Sequence, residues 1–373
     1  MPEVWLGYGD SEIILDIKYE NILKIVKPEV KVISPENLRL SIHNNLNLQN
    51  STLVLITTPF PKMLDILKII NERSRDLEIQ PPDVFILSKP FMHRLRQDIS
   101  KESLSISRIE PDEVLKKILV YRNIILIDKI EYDPVFGFNG SPTKIIRECY
   151  PQVMNQIYAS IVGQLPKPGV SGEALKITVE ALSTLNCQMI HVYSDKEVID
   201  SIYFGHEVSS FLDAVQKFKE KTSVISDFSK SAFISGNTAY TSQVNLGNSL
   251  NLLWNNYHSV LDGGTIVLLS ENRSGINDGA ISKFVEGRLD LSGLDKYQYV
   301  NEIEHINFLK LLQDKYEIIL ISTLPQVYLN KLGLKSVTKI KDGLDWILKK
   351  NGKYSKSNIL PVSEITCIKN NMN

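Results

Sequence analysis

Two short apolar runs at residues 4–6 and 12–17 flank a GYGDS turn, so the chain is predicted to open as a β-hairpin. The pattern then changes. Residues 51–56 form a continuous apolar run, and residues 60–73, behind Pro59 and Pro61, carry apolar positions at helical spacing. The strand pattern returns at 83–88, 123–130 and 186–193. Runs without polar alternation are expected of parallel strands buried on both faces, so the predicted class is α/β with a mostly parallel sheet covered by helices. Residues 144–162 and 172–185 read as helices. Residues 187–204 read as a hairpin turning at Ser194 and Asp195 and ending at Gly205, and 207–221 as an amphipathic connecting helix. The rhythm restarts with strands at 231–235, 264–270 and 317–322 and a helix at 245–261. Two α/β units are therefore expected, 1–221 and 222–373, with a ligand cleft between them.

A length of 373 residues suits two domains, and 43% hydrophobic residues suffice for two cores. The formal net charge of −1 removes the general attraction for phosphate backbones, so nucleic acid is not an expected partner. Cys149, Cys187 and Cys367 lie far apart without CxxC spacing, which points to the cytosol and away from a disulfide scaffold or zinc site. The opening residues carry acids where a signal peptide needs bases, and charges break every apolar run well short of a membrane span.

Three segments hold candidate chemistry. The loop FGFNGSPTK, residues 136–144, lies between a strand and a helix, where open α/β sheets place ligands. It departs from a Walker loop, because Thr143 precedes Lys144 and Ile145 follows it. A plain turn built on Gly137 and Gly140, with Pro142 opening the helix and Lys144 solvated, explains it equally well. His93 and Arg94 follow the strand 83–88, and an imidazole there could exchange protons near neutrality. The other histidines, at 43, 191, 206, 258 and 305, show no metal-type spacing. In the second half, GNTAYTSQVNLGNS at 236–249 is rich in amides and hydroxyls, with Asn245 placed to cap a helix. The ENR segment at 271–273 sits beyond a strand's carboxyl end.

Taken together, these segments resemble the nickel-dependent lactate racemases. WLGYGDSEIILDI resembles the hairpin that opens that family, while FGHEV at 204–208, SGNTAYTSQVNL at 235–246 and VLDGGTIVLLSENRSG at 260–275 follow in the family's order. The resemblance runs from about Val4 to Ile368 and implies a lactate racemase-like fold of two α/β domains. It also implies a nickel-pincer nucleotide, a pyridinium mononucleotide carried on a lysine, with nickel held by two sulfurs, a ring carbon and a histidine. In such an enzyme, hydride leaves the α-carbon of a 2-hydroxy acid for the cofactor and returns to the opposite face.

Carried across, KPFMHR makes His93 an acid/base histidine with Arg94 beside it as a substrate contact, and Lys144 the cofactor lysine, with Gly137 and Gly140 shaping its loop. Arg273 becomes a second substrate-binding candidate. Other positions depart from the family pattern. Asp133 stands at the second acid/base histidine, Gln156 at the nickel-ligating histidine, Thr58 at the carboxylate-binding arginine and Ser242 at a second-domain lysine. Two readings remain open: a divergent racemase or epimerase of a 2-hydroxy acid or related substrate, and a non-catalytic relative that holds a small ligand or a protein partner in the cleft.

Overall fold

The computed structural model describes residues 3–87, 105–196, 198–236, 243–290, 292 and 298–370. The start of the chain forms the antiparallel hairpin β1 (Glu3–Tyr8) and β2 (Ser11–Asp16), followed by β3 (Ile22–Ile25). Helix α1 (Pro35–Asn45) leads into β4 (Thr52–Ile56), α2 (Met63–Asp76) and β5 (Asp83–Ile86). Next come β6 (Ile106–Arg108), α3 (Pro111–Val120) and β7 (Asn123–Lys129), then the short pair β8 (Glu131–Asp133) and β9 (Gly137–Asn139). Helices α4 (Ser141–Cys149), α5 (Pro151–Ile161) and α6 (Glu173–Ala181) precede the hairpin β10 (Gln188–Asp195) and β11 (Val198–Gly205) and helix α7 (Ser210–Thr222).

These elements build a six-stranded sheet in the order β11-β10-β7-β4-β5-β6, parallel except for the β10–β11 pair. Every residue of β4 and β7 is buried, which is why residues 53–56 and 124–127 within them read as unbroken apolar runs. The expected helix over 144–162 is two helices. Pro151 cannot donate to the preceding turn, so the chain breaks at Tyr150, which leaves helical geometry at φ −122° and ψ 71°.

The second half contains β12 (Ser223–Ile225), β13 (Ser229–Ser235), α8 (Leu246–Asn256), β14 (Val260–Leu269), α9 (Ala280–Val285) and α10 (Ile303–Leu312). It continues through β15 (Glu317–Ile321), α11 (Gln326–Lys331), β16 (Lys335–Val337), α12 (Ile340–Asn351), β17 (Ser357–Leu360) and β18 (Cys367–Lys369). The second sheet also has six strands, all parallel, in the order β16-β15-β14-β13-β17-β3.

Its edge strand comes from the start of the chain. Dividing the chain at residue 221 puts residues 3–25 with the first unit, whereas β3 pairs with β17 and the hairpin packs Val4, Leu6, Leu15 and Ile17 against Phe233, Val267 and Ile319. Pairing between the first and last strands of a sheet is a long-range choice that no local pattern encodes. The largest core cluster contains Leu53, Leu126 and Ile146 from the first unit and Leu250, Leu268 and Ile306 from the second, so the two sheets' helical layers pack against each other. Among the described residues, no helix is long and apolar enough to cross a membrane.

Candidate functional site

At the carboxyl ends of β4 and β7 the chain turns into Thr57–Pro59 and into the β8–β9 hairpin that feeds α4. Buried polar groups fix this corner. Asp128, on β7, lies opposite His191 on β10, and its oxygens are 3.0 and 3.1 Å from His191 Nδ1. The same carboxylate accepts from the Ser141 backbone N–H at the start of α4, where negative charge complements the helix N-terminus. Ser141 Oγ in turn hydrogen-bonds Thr57 Oγ1 at 2.9 Å, tying the helix start to the loop after β4.

This corner faces the second unit across a cavity of about 160 Å³. The first unit supplies Thr57, Thr58, Glu131, Asp133, Asn139, Lys144 and Arg147 to the walls, and the second supplies Gly247, Asn251, Asn255, Asn277, Glu302, Glu304 and His305. Carboxylates and amides dominate. Arg147, one turn after Lys144 on α4, reaches over the Phe136 ring at 5.1 Å and crosses the gap. Its guanidinium donates to Glu304 Oε1, to Tyr299 Oη at 2.8 Å and to Asp133 Oδ2 at 3.0 Å. Burial works against the charge of Arg147, but Tyr299, Asp133 and Glu304 outweigh it and raise its pKa well above the ordinary value. For Glu304, burial pushes the carboxyl up, yet Arg147 prevails and holds it below the usual carboxylate value.

Glu302 lies two residues away in a different environment. It caps α10 from a left-handed backbone conformation, φ 76°, which a side chain larger than glycine adopts at a cost. Gly247 and Gly279 make room for its carboxyl: a Cβ at either position would come within 2.2 or 2.3 Å of its oxygens. Asn277 donates to Oε1 at 2.7 Å, while Oε2 is buried with no partner among the described residues. Burial first, and then Glu304, push its pKa up to about 7 against the lowering by Asn277. Beside it, Trp254 Nε1 donates to His305 Nδ1 at 2.7 Å. An indole only donates, so this bond assigns the acceptor role to Nδ1 and the proton of the neutral ring to Nε2. Burial lowers the His305 pKa to about 4, which keeps the ring neutral.

The residues singled out from sequence are only partly gathered here. Asp133 and Lys144 line the same cavity. Both oxygens of Asp133 are engaged, Oδ1 by the Val135 and Phe136 N–H groups at 2.8 Å each and Oδ2 by Arg147, so this carboxylate braces its loop and the guanidinium. Lys144 Nζ pairs with Glu148 at 2.9 Å. Thr58 lines the cavity with its hydroxyl buried and unpartnered among the described residues, and Gln156 is exposed on α5.

Gly137 and Gly140 serve packing. A Cβ on Gly137, at φ 85°, would meet the Val170 carbonyl oxygen at 2.0 Å, and one on Gly140 would meet the Phe211 ring at 2.4 Å. Arg273 does not line the cavity. It is exposed at the tip of the β1–β2 hairpin, paired with Asp10 at 2.6 Å and with Glu271 at 3.1 Å. His93, Arg94 and Ser242 lie outside the described residues.

Arg147, Glu302 and Glu304 are not among the residues expected from the sequence, and His305 figures there only as a histidine without metal-type spacing. The only local trace is the EIEH string at 302–305, where two acids and a histidine stand at the start of α10. Among the described residues, no group of three or more His, Cys, Asp and Glu side chains is arranged to hold a metal ion. The imidazole in the cavity wall offers a proton at Nε2 rather than a lone pair, and so does not fit as a nickel ligand while Trp254 is bonded to it. The described residues thus do not supply the histidine that a nickel-pincer nucleotide requires.

No protein-family model matches the chain, and no curated protein matches it by sequence. Solved structures do match. The lactate racemase apoprotein from Thermoanaerobacterium thermosaccharolyticum superimposes with a TM-score of 0.77 at 15% identity, covering 99% of this chain and 100% of that one. A Thermotoga maritima protein solved by a structural genomics consortium superimposes with a TM-score of 0.63 at 12% identity, covering 91% of this chain and 98% of its own. The fold is lactate racemase-like over the whole chain.

Proposed function

We propose that this chain is a ligand-binding protein on a lactate racemase-like fold, holding a small uncharged or cationic polar molecule between its two units. One observation carries the reading. Arg147, the only guanidinium lining the cavity among the described residues, is already matched by Asp133, Glu304 and Tyr299. A 2-hydroxy acid needs a cation for its carboxylate, and a bidentate arginine is the usual solution. Here the guanidinium is committed to internal acids, and Lys144 is committed to Glu148. An anionic substrate would have to displace those partners. A cytoplasmic setting accompanies this reading, in keeping with the free thiols of Cys149, Cys187 and Cys367.

A second reading, isomerisation of a hydroxy acid through a nickel-pincer nucleotide, is favoured by the full-length likeness to a lactate racemase. It would require His93 and Arg94 to complete a site that the described residues leave without a nickel-binding imidazole. Intact mass and metal content of protein purified from its native source separate the two. An unmodified mass, no stoichiometric nickel and no interconversion of lactate enantiomers are expected. A nucleotide adduct on Lys144, or conversion of one enantiomer into the other, overturns the binding reading.

A further inference from the structure

We propose that the ligand of this cavity carries a primary ammonium group, received by the carboxylates of Glu302 and Glu304 and the amide oxygen of Asn255. The inference deepens the binding reading and rests on it. Besides the Thr58 hydroxyl, the buried acceptor atoms on residues of the cavity wall that lack a hydrogen-bond partner among the described residues include Glu302 Oε2, Glu304 Oε2 and Asn255 Oδ1. The residues are 4%, 2% and 1% exposed. The Asn255 amide is oriented by its Nδ2, which donates to the Ser363 carbonyl at 3.0 Å, so Oδ1 is the atom left over.

A buried acceptor without a donor is costly, the more so when charged, so these acceptors call for a donor-rich occupant. An ammonium group has three donors and no acceptor, whereas a hydroxyl brings one donor together with lone pairs that find no use here. Charge selects in the same direction. Asp133 and Glu304 share Arg147, Lys129 lies 2.8 Å from Glu131, and Lys144 lies 2.9 Å from Glu148. Among the described residues no such cation pairs with Glu302, and its hydrogen bond comes from the uncharged Asn277. A ligand cation completes the pairing. Gly247 and Gly279 are built around this carboxyl, so it is housed rather than stranded. The ionisable group that acts on it is Glu304 on its own segment, and its one side-chain donor is Asn277. Arg147 is held by Asp133 and Tyr299 as well as Glu304, which leaves Glu302 as the stronger anchor. A volume of about 160 Å³ suits a small molecule.

The test uses three probes of nearly equal size: ethanolamine as the cation, ethylene glycol as its neutral counterpart and glycolate as the anion. Calorimetry on the full chain near neutral pH should show ethanolamine binding at least tenfold tighter than either of the others. It should also show proton release, as a dependence of the heat on buffer, because the carboxyl of Glu302 ionises when the cation arrives. Glu302→Gln should cost at least tenfold in ethanolamine affinity and remove the proton release. The comparison among probes needs no variant, so a folding defect in Glu302→Gln cannot decide the outcome. Equal binding of ethylene glycol overturns the ammonium assignment while leaving the binding reading intact. Tightest binding of glycolate overturns both. Ethanolamine binding unchanged in a folded Glu302→Gln protein overturns the assignment of the receptor, and no binding by any probe overturns the inference as a whole.

Discussion

Arg147 and Glu304 form an ion pair across the gap between the two sheets, with the guanidinium side chain 13% exposed and the carboxylate side chain 2% exposed. Asp133 holds the same guanidinium from the opposite side at 3.0 Å. One cation thus bridges two buried acids, one from each unit, and leaves the cluster with a net negative charge. Breaking such a pair by removing one partner strands the other charges, which is costlier than never having built it.

Replacing Arg147 by Met should therefore destabilise the protein by about 3–5 kcal/mol, read as a lowered urea midpoint. Arg147→Lys should recover only part of this loss, because a single ammonium cannot span Asp133, Tyr299 and Glu304 as a planar fork does. A loss below about 1 kcal/mol, as for a surface pair, would show that the contact is not maintained in solution.

Gly137 and Gly140 separate a packing role from a cofactor role. Gly140→Ala drives a methyl into the Phe211 ring, and Gly137→Ala adds both a clash with Val170 and a left-handed strain. Each should lower the melting temperature of ligand-free protein by more than Gly163→Ala does, since Gly163 at φ 74° carries the strain alone with nothing within 4 Å. Normal melting of Gly140→Ala with ligand binding lost would restore the loop as a ligand-contacting element.

The hydrogen bond from Trp254 to His305 makes a spectroscopic prediction. Nitrogen-15 spectra of the imidazole should show a neutral ring protonated at Nε2 across pH 6–8, because the pKa lies near 4. Trp254→Phe removes the donor and should shift the ring toward a mixture of tautomers. Finding the Nδ1-protonated form in the wild type would free Nε2 as a metal ligand or base and reopen the enzymatic reading.

Much of the scaffold was legible because burial on both faces leaves a direct mark on composition. The runs at β4 and β7, and the Asn245 cap whose side chain accepts from Asn248 N–H, are local facts written in local residues. The edge strand β3 was not legible, since its partner β17 lies more than 300 residues away. The cavity was half legible. Lys144 and Asp133 stand at strand ends, where open sheets place ligands, but Arg147 looks like any helix arginine until Glu304 is set opposite it. Glu302 is similarly plain in sequence. Its character comes from burial and from two distant glycines that give it room.

Glu302 and His305 should together leave a signature in the pH dependence of stability. Burial raises the carboxyl of Glu302 from near 4.5 to about 7, so between those values the folded protein keeps a proton that the unfolded chain has released. Raising the pH through that window costs stability, about 3 kcal/mol in total. His305 works in the opposite sense. Its folded pKa of about 4 lies below the ordinary 6.5, so lowering the pH from 6.5 to 4 favours the unfolded chain, which takes up the proton first, again by about 3 kcal/mol. Over the shared window the two slopes oppose each other, and this pair should make the wild type nearly indifferent to pH there. Glu302→Gln removes one slope and exposes the other. Denaturant midpoints measured from pH 4.5 to 7 should show the variant gaining about 3 kcal/mol on the wild type across that range. The increase is expected without any ligand present, because the carboxyl is held for binding at the expense of stability. A gap between variant and wild type that stays constant with pH would mean that Glu302 titrates normally and is not a buried, unpaired acid.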